Sequence, residues 1–419
     1  MTRHLAAVGS TVTAALAGIV FACAGPPPAT SAALTASGTT VTGTTAVGTT
    51  VAVPAQLPPL DPAGLRAAIS GLPNSTVTGA LVSVTGPAGQ WSGTSGVRDI
   101  VSRAPVPADG DFRIGSISKV FTAVVVLQLA AEHRVDLGMP VQHYLPGLLP
   151  ASYPPITVRQ LLNFTSGLPD TTLGDGDASW FAAHRFESWT PEQLVAEAVS
   201  HPLVFAPGTA QQYNGTGYYL AGLLIEHVTG HSYADEVQAR VIRSLQLART
   251  YVPDRRDPRL PGPHAHGYVA VTADGVTTLD DVSEQSPFRW AAGGIISDSA
   301  DLTTFIRALF SGRLLPSPQL AEMFTVPGVP YLGTDFCTTG PDAGRACFGA
   351  GLMRSVLPNG LTGWGKTGSV PGYTSGLFAS RDLRRVLVYS LNPTGDRDGS
   401  ETPYIAKIVT ATFDPAMSR

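Results

Sequence analysis

Ser116 stands three residues before Lys119 in FRIGSISKVFTAVVVLQLAAEH, at the entrance to a long apolar run. In a helix that spacing puts the two side chains on one face about 5–6 Å apart at Cβ, so hydroxyl and amine can meet. The chemistry open to such a pair is proton transfer from serine to lysine, which makes the hydroxyl a nucleophile. A serine in the first turn also feels the positive end of the helix dipole, and Gly115 before it lets the backbone turn tightly into the helix. The run VFTAVVVLQLAA is apolar nearly all round, which predicts a buried helix. A lysine drawn into that setting loses solvation, its pKa falls, and it can accept a proton near neutral pH. Taken alone, Ser-x-x-Lys is a weak motif, more often only a helix start carrying a solvated lysine.

The scarcity of lysine adds weight. Lys119, Lys366 and Lys407 are the only lysines in the chain. Lys366 lies in GWGKTGSVPGY with Thr367, Gly368 and Ser369. There a glycine-rich strand edge can offer backbone groups, and the lysine its charge, to a carboxylate-bearing substrate.

The elements that must position these residues follow from the patterning. Asp61 and Pro62 in LDPAGLRAAISGL are a helix cap and a first-turn proline. TGALVSVTG and GQWSGTSGV read as strands of a hairpin around Gly86-Pro87-Ala88-Gly89. From about 157 to 201 and 218 to 247 the pattern is mostly helical, with GYYLAGLLIEHVTG ending on Gly230. WAAGGIISDSADLTTFIRALFSGRLL reads as a loop and then a helix. The last third turns to strands: GLMRSV, GWGKTGSV, TSGLFAS and RRVLVYSLN, the last two joined tightly at Arg381-Asp382-Leu383, before a closing helix from Pro403 to about Phe413. The expected fold class is α/β (α+β): one antiparallel sheet assembled from both chain ends, flanked by helices, with a helical lobe inserted between them.

A chain of 419 residues, 43% hydrophobic and 14% charged, can bury a large core. Its net charge of −4, without blocks of like charge, argues against a nucleic-acid partner. Residues 1–24, with Arg3, an apolar stretch from Leu5 to Ala22 and then small residues, read as an export signal. Two processing routes stay open: release after Ala22-Cys23-Ala24, or lipidation of Cys23 in a loose lipoprotein box as a membrane tether. Residues 25–59, rich in Thr, Ala, Gly and Pro, read as a linker, and 60–419 as the folded domain. In an exported protein Cys337 and Cys347, set around a turn-rich spacer, should pair; two buried thiols are the alternative. His264 and His266 read as solvated imidazoles, Asp175 and Asp177 lack the further ligand of a calcium loop, and no metal or cofactor is expected. Trp180, Phe181, Phe186 and Trp189 read as core of the helical lobe.

With these landmarks in place the chain resembles the serine β-lactamase and penicillin-binding-protein superfamily, in its class C-like branch with D-alanyl-D-alanine carboxypeptidases and esterases. The resemblance runs from about Leu60 to the C-terminus. It is carried by FRIGSISKVFTA, ITVRQLLNFTSGLPD, FAPGTAQQYNGTGYYLAGLLIEHVTG, AAGGIISDSADLTTFI and GKTGSVPGY, in that order. It implies Ser116 as the acylated nucleophile, Lys119 as its proton acceptor and Tyr213 as the relay to the leaving group. It also implies Lys366, Thr367 and Gly368 as the Lys-Thr-Gly strand, and the backbone N–H groups of Ser116 and Ser369 as an oxyanion hole.

Two departures bear on substrate. Gly215 stands where the family's Tyr-x-Asn element has asparagine, so the side chain that would grip an acyl-amide is missing unless Asn214 replaces it. Phe164 in NFTSG replaces a common histidine, a swap that reads as structural. The expectation is an exported serine hydrolase acting on D-alanyl peptides, β-lactams or small esters. The alternatives are a receptor that acylates without turnover, a catalytically reduced binding protein that keeps the cleft without chemistry, or an envelope interaction module with no reactivity.

Overall fold

The computed structural model describes residues 57–395 and 398–414. The expected export signal, Cys23 and the linker up to residue 56 lie outside the described residues. Among those described, no helix is long and apolar enough to cross a membrane.

Six strands form the main sheet: β1 Val77–Thr85, β2 Trp91–Gly96 and, numbered after four short strands that lie outside it, β7 Met353–Val356, β8 Thr362–Val370, β9 Tyr373–Ser380 and β10 Val386–Pro393. Their spatial order is β2-β1-β10-β9-β8-β7, each pair antiparallel. The two ends of the chain therefore meet where β1 lies against β10, with Leu81 opposite Ser390. Strand β10 alternates between two cores: Val386 and Val388 join the large core under the helical lobe, while Leu387, Tyr389 and Leu391 join a smaller one. That double burial is why RRVLVYSLN reads as an unbroken apolar run. The smaller core is closed by the Pro62–Ala68 and Thr402–Phe413 helices. Asp61 accepts from the Gly64 N–H at 2.8 Å, so the cap lies where the sequence puts it.

The helical lobe packs on the other face around two long helices, Ser118–Ala131 and Thr216–Thr229. The first is buried on every side over its first ten residues, as its composition predicts. The second ends on Gly230 in the left-handed conformation, φ +76°. Two small pairings complete the fold: β3 Phe112–Arg113 with β6 Ile296–Ser297, and the hairpin of β4 Tyr268–Ala273 and β5 Val276–Asp281. A disulfide joins Cys337 to Cys347 and ties off the loop before β7.

Candidate active site

Ser116 occupies a single 3-10 turn, Gly115–Ile117, that feeds directly into the Ser118–Ala131 helix. Gly115 has φ +50°, a conformation that costs glycine little and side-chain-bearing residues more. The turn is anchored by Ser118, whose Oγ accepts from the Ile295 N–H at 3.0 Å, and by Thr122, whose Oγ1 donates to Ala291 O at 2.7 Å. Ser116 itself is half-buried, and its Oγ meets two groups. Lys119 Nζ is 3.3 Å away, and Tyr213 Oη donates to it at 2.6 Å.

Lys119 is 3% exposed, and its Nζ also donates to Ala292 O at 2.7 Å. Burial holds its pKa well below the lysine range, and the nearby charge of Lys366 pushes in the same direction. Tyr213 is pushed the other way: burial raises its phenol pKa above the usual value, so it stays protonated and acts as a donor. A base with a depressed pKa and a phenol kept neutral, both on one serine oxygen, can move a proton off Ser116 and onto a leaving group.

Tyr213 is placed by aromatic packing. Its ring lies 4.8 Å from Phe164 and 4.8 Å from Phe336 between centroids. Phe164 is buried with φ +61°, so the residue at the histidine position is part of this wall. Phe336 and Phe348 flank the disulfide cysteines. Gln211 fixes that segment, its Oε1 accepting from the Cys347 and Phe348 N–H groups at 2.9 and 3.1 Å.

Lys366 is 1% exposed, and its Nζ donates to Thr367 O at 2.9 Å and Thr367 Oγ1 at 3.3 Å. It lies 4.7 Å from the Tyr213 ring centroid and 4.8 Å from that of Phe336. Burial lowers its pKa to about 7, against a smaller opposing effect of Asp335. The ammonium thus packs among aromatic rings, and its charge acts on Lys119. Gly368 and Ser369 run beside the serine turn. A Cβ on Gly368 would approach Ile114 O to 1.9 Å, so β8 and the turn touch through bare backbone.

Asn214 does not take the place of the missing asparagine. Its Oδ1 accepts from the Gly217 N–H at 2.9 Å and its Nδ2 donates to Gln212 O at 3.2 Å, so both ends serve the start of the Thr216–Thr229 helix. Gly215 has φ −85°, and its N–H donates to Asp170 Oδ1 at 3.0 Å. Asp170, Gln211, Ala292 and Phe336 are site-building residues that sequence reasoning did not single out. Asp170 ends the FTSGLPD stretch, a visible signal, whereas the Ala292 contribution is a backbone carbonyl with none.

Other residues weighed from sequence lie elsewhere. His264 Nδ1 is 2.7 Å from Gly262 O, and His266 Nδ1 is 2.6 Å from Asp281 Oδ2. Asp177 caps a helix through the Trp180 N–H, and Asp175 Oδ1 accepts from Arg289 at 3.1 Å. The four aromatic residues separate: Phe181 joins a small core under β4, Trp180 stacks on His184, Trp189 meets Phe288, and Phe186 is 53% exposed.

Fold and site together are those of the serine β-lactamase and penicillin-binding-protein superfamily. The chain belongs to its Beta-lactamase family, whose model matches residues 65–410. Among solved structures it is similar to a D-stereospecific amidohydrolase from Streptomyces sp., with 35% identity and a TM-score of 0.73 over 85% of this chain and 99% of that one. It is also similar to the D-amino acid amidase from Ochrobactrum anthropi SV3, with 28% identity and a TM-score of 0.68 over 83% and 97% of the two chains. Penicillin-binding protein 4* of Bacillus subtilis (strain 168) is 26% identical over 72% of this chain and 65% of its own length. The chain thus spans somewhat under two thirds of that relative.

Proposed function

We propose that the protein is an exported serine hydrolase that cleaves small amides and esters through an acyl-enzyme on Ser116. The observation that carries this reading is the convergence of Lys119 Nζ and Tyr213 Oη on Ser116 Oγ, at 3.3 and 2.6 Å. Lys119 takes the serine proton as Oγ attacks the substrate carbonyl carbon. The backbone N–H groups of Ser116 and Ser369 hold the oxygen that becomes negative. Tyr213 passes a proton to the departing nitrogen or oxygen as that bond breaks, leaving the acyl group esterified to Ser116. Water then attacks the ester, losing a proton to the same relay, and the acid leaves as Oγ regains its proton. Amides are favoured as substrates by the likeness, along nearly their whole length, to an amidohydrolase and an amino acid amidase.

The test is to incubate the purified protein with a p-nitroanilide, a short-chain p-nitrophenyl ester and a fluorescent penicillin, following product release and labelled mass together. Turnover that vanishes in Ser116→Ala, with the thermal melt unchanged, is the expected result. Turnover retained in Ser116→Ala refutes the mechanism. Stable labelling of Ser116 without product release would instead make the protein a non-turnover penicillin receptor.

A further inference from the structure

The acyl side of the site carries a carboxylate where a neutral amide would be expected. Asp170 lies against Gly215, two residues beyond Tyr213. A Cβ built on Gly215 would lie 3.2 Å from Asp170 Oδ1, so the carboxylate borders the space that an asparagine side chain would enter. Oδ1 accepts from the Gly215 N–H at 3.0 Å, from the Thr171 N–H at 3.1 Å and from Thr216 Oγ1 at 3.4 Å. Those contacts all fall on one oxygen and fix the plane of the group.

Unlike Phe164 to Leu168 just before it, which are buried, Asp170 is exposed. The neighbouring cations hydrogen-bond elsewhere, Lys119 to Ser116 Oγ and Ala292 O and Arg289 Nη2 to Asp175 Oδ1, while burial raises the Asp170 carboxyl pKa and the charges of Lys119 and Arg289 act against that rise. The field of Asp170 nevertheless reaches both Lys119 and Tyr213, which places it beside the reacting serine.

We propose that Asp170 recognises a protonated amine on the acyl donor, so that the preferred substrates are amides and esters of amino acids with a free α-ammonium group. This rests on the acyl-serine reading above and adds the substrate class. A carboxylate held by two backbone N–H groups and open on its other side is a ready acceptor for a charge-assisted hydrogen bond from an ammonium. It is a poor partner for the carbonyl of an acylated amine, which an asparagine amide would have satisfied. Exchange of a neutral side chain at position 215 for a charged one arriving from position 170 thus changes what the acyl pocket accepts.

Asp170 also caps the Thr216–Thr229 helix, and the test must separate the two roles. Asp170→Asn keeps an Oδ1 acceptor for the cap and removes the charge. Phenylalanine p-nitroanilide, in both enantiomers, and 3-phenylpropionyl p-nitroanilide differ only in the amine. Wild-type protein should prefer the better phenylalanine enantiomer by about 10–100-fold in kcat/KM, the range for a hydrogen bond between charged groups. In Asp170→Asn that preference should collapse to near unity, whatever common change in rate the loss of its charge beside Lys119 and Tyr213 imposes on both compounds, with the melting temperature little changed. Equal losses on both compounds would show a purely structural carboxylate and overturn the proposal. Should the variant not fold, a wild-type ratio near one overturns it by itself. Turnover of the desamino compound through Ser116, without an amine preference, would sink this proposal and leave the reaction intact. No turnover and no adduct on Ser116 would overturn both.

Discussion

Gly115 lies directly against the backbone of Ser369: a Cβ on the glycine would come within 2.6 Å of Ser369 N and 3.0 Å of Ser369 O. The first residue of the serine turn and the residue that follows Lys-Thr-Gly on the strand are thus held at backbone contact, as the proposed pairing of the Ser116 and Ser369 N–H groups in an oxyanion hole requires. Gly115→Ala should push β8 away and strain a φ of +50°. Loss of one oxyanion donor typically costs about 10²–10³ in kcat, and this variant should lose at least that much. Steady-state kinetics beside a thermal melt checks it; near-wild-type kcat would show that the N–H of Ser369 is not used.

Lys119 and Tyr213 meet on one oxygen and should behave as one unit. Lys119→Ala and Tyr213→Phe should each lower kcat by about 10²–10⁴, with the double variant losing far less than the product of the two. Fully multiplicative losses, measured on the same ester, would assign them independent roles.

Lys366 gives a pH-dependent stability whose sign can be worked out. The unfolded chain keeps its proton up to about 10.5 and the native protein only to about 7, since burial disfavours the charged form. Between those values unfolding takes up a proton, so stability rises with pH, by as much as about 1.4 kcal/mol per unit. Lys366→Met should therefore melt higher than wild type at pH 7, and this advantage should shrink towards pH 10. Parallel denaturation curves at the two pH values would show that the lysine does not titrate as its burial demands.

Gly215→Asn would restore the asparagine of the family's Tyr-x-Asn element. The backbone allows it, at φ −85°, yet a Cβ there meets Asp170 Oδ1 at 3.2 Å and the Tyr219 ring at 3.4 Å. The variant should lose stability by about 1–3 kcal/mol, as overpacked sites do, and should bind penicillins no better unless Asp170 is shortened as well. Urea denaturation and fluorescent penicillin labelling of Gly215→Asn, with and without Asp170→Ala, separate the two effects.

What the sequence determined by itself was local and periodic. The cap at Asp61, the turn into Ser116, the apolar helix behind Lys119, the stop at Gly230 and the strand pattern of the last third all follow from short-range sterics and burial periodicity, which neighbouring residues impose on one another. Even the β4–β5 hairpin, which has little apolar alternation, carries its signal in Asp274-Gly275, both at positive φ.

The tertiary structure decided which groups face one another across long separations. Tyr213 reaches Ser116 over 97 residues, Ala292 O reaches Lys119 over 173, and Asp170 enters the space beside Gly215 from 45 residues away. Two of those contacts use backbone atoms, which every residue possesses and no residue type announces. Lys366 shows the same limit for charge: its identity was legible, but whether its ammonium would meet solvent or three aromatic rings depended on Phe336 and Phe348, brought over it by a loop that the Cys337–Cys347 bond closes.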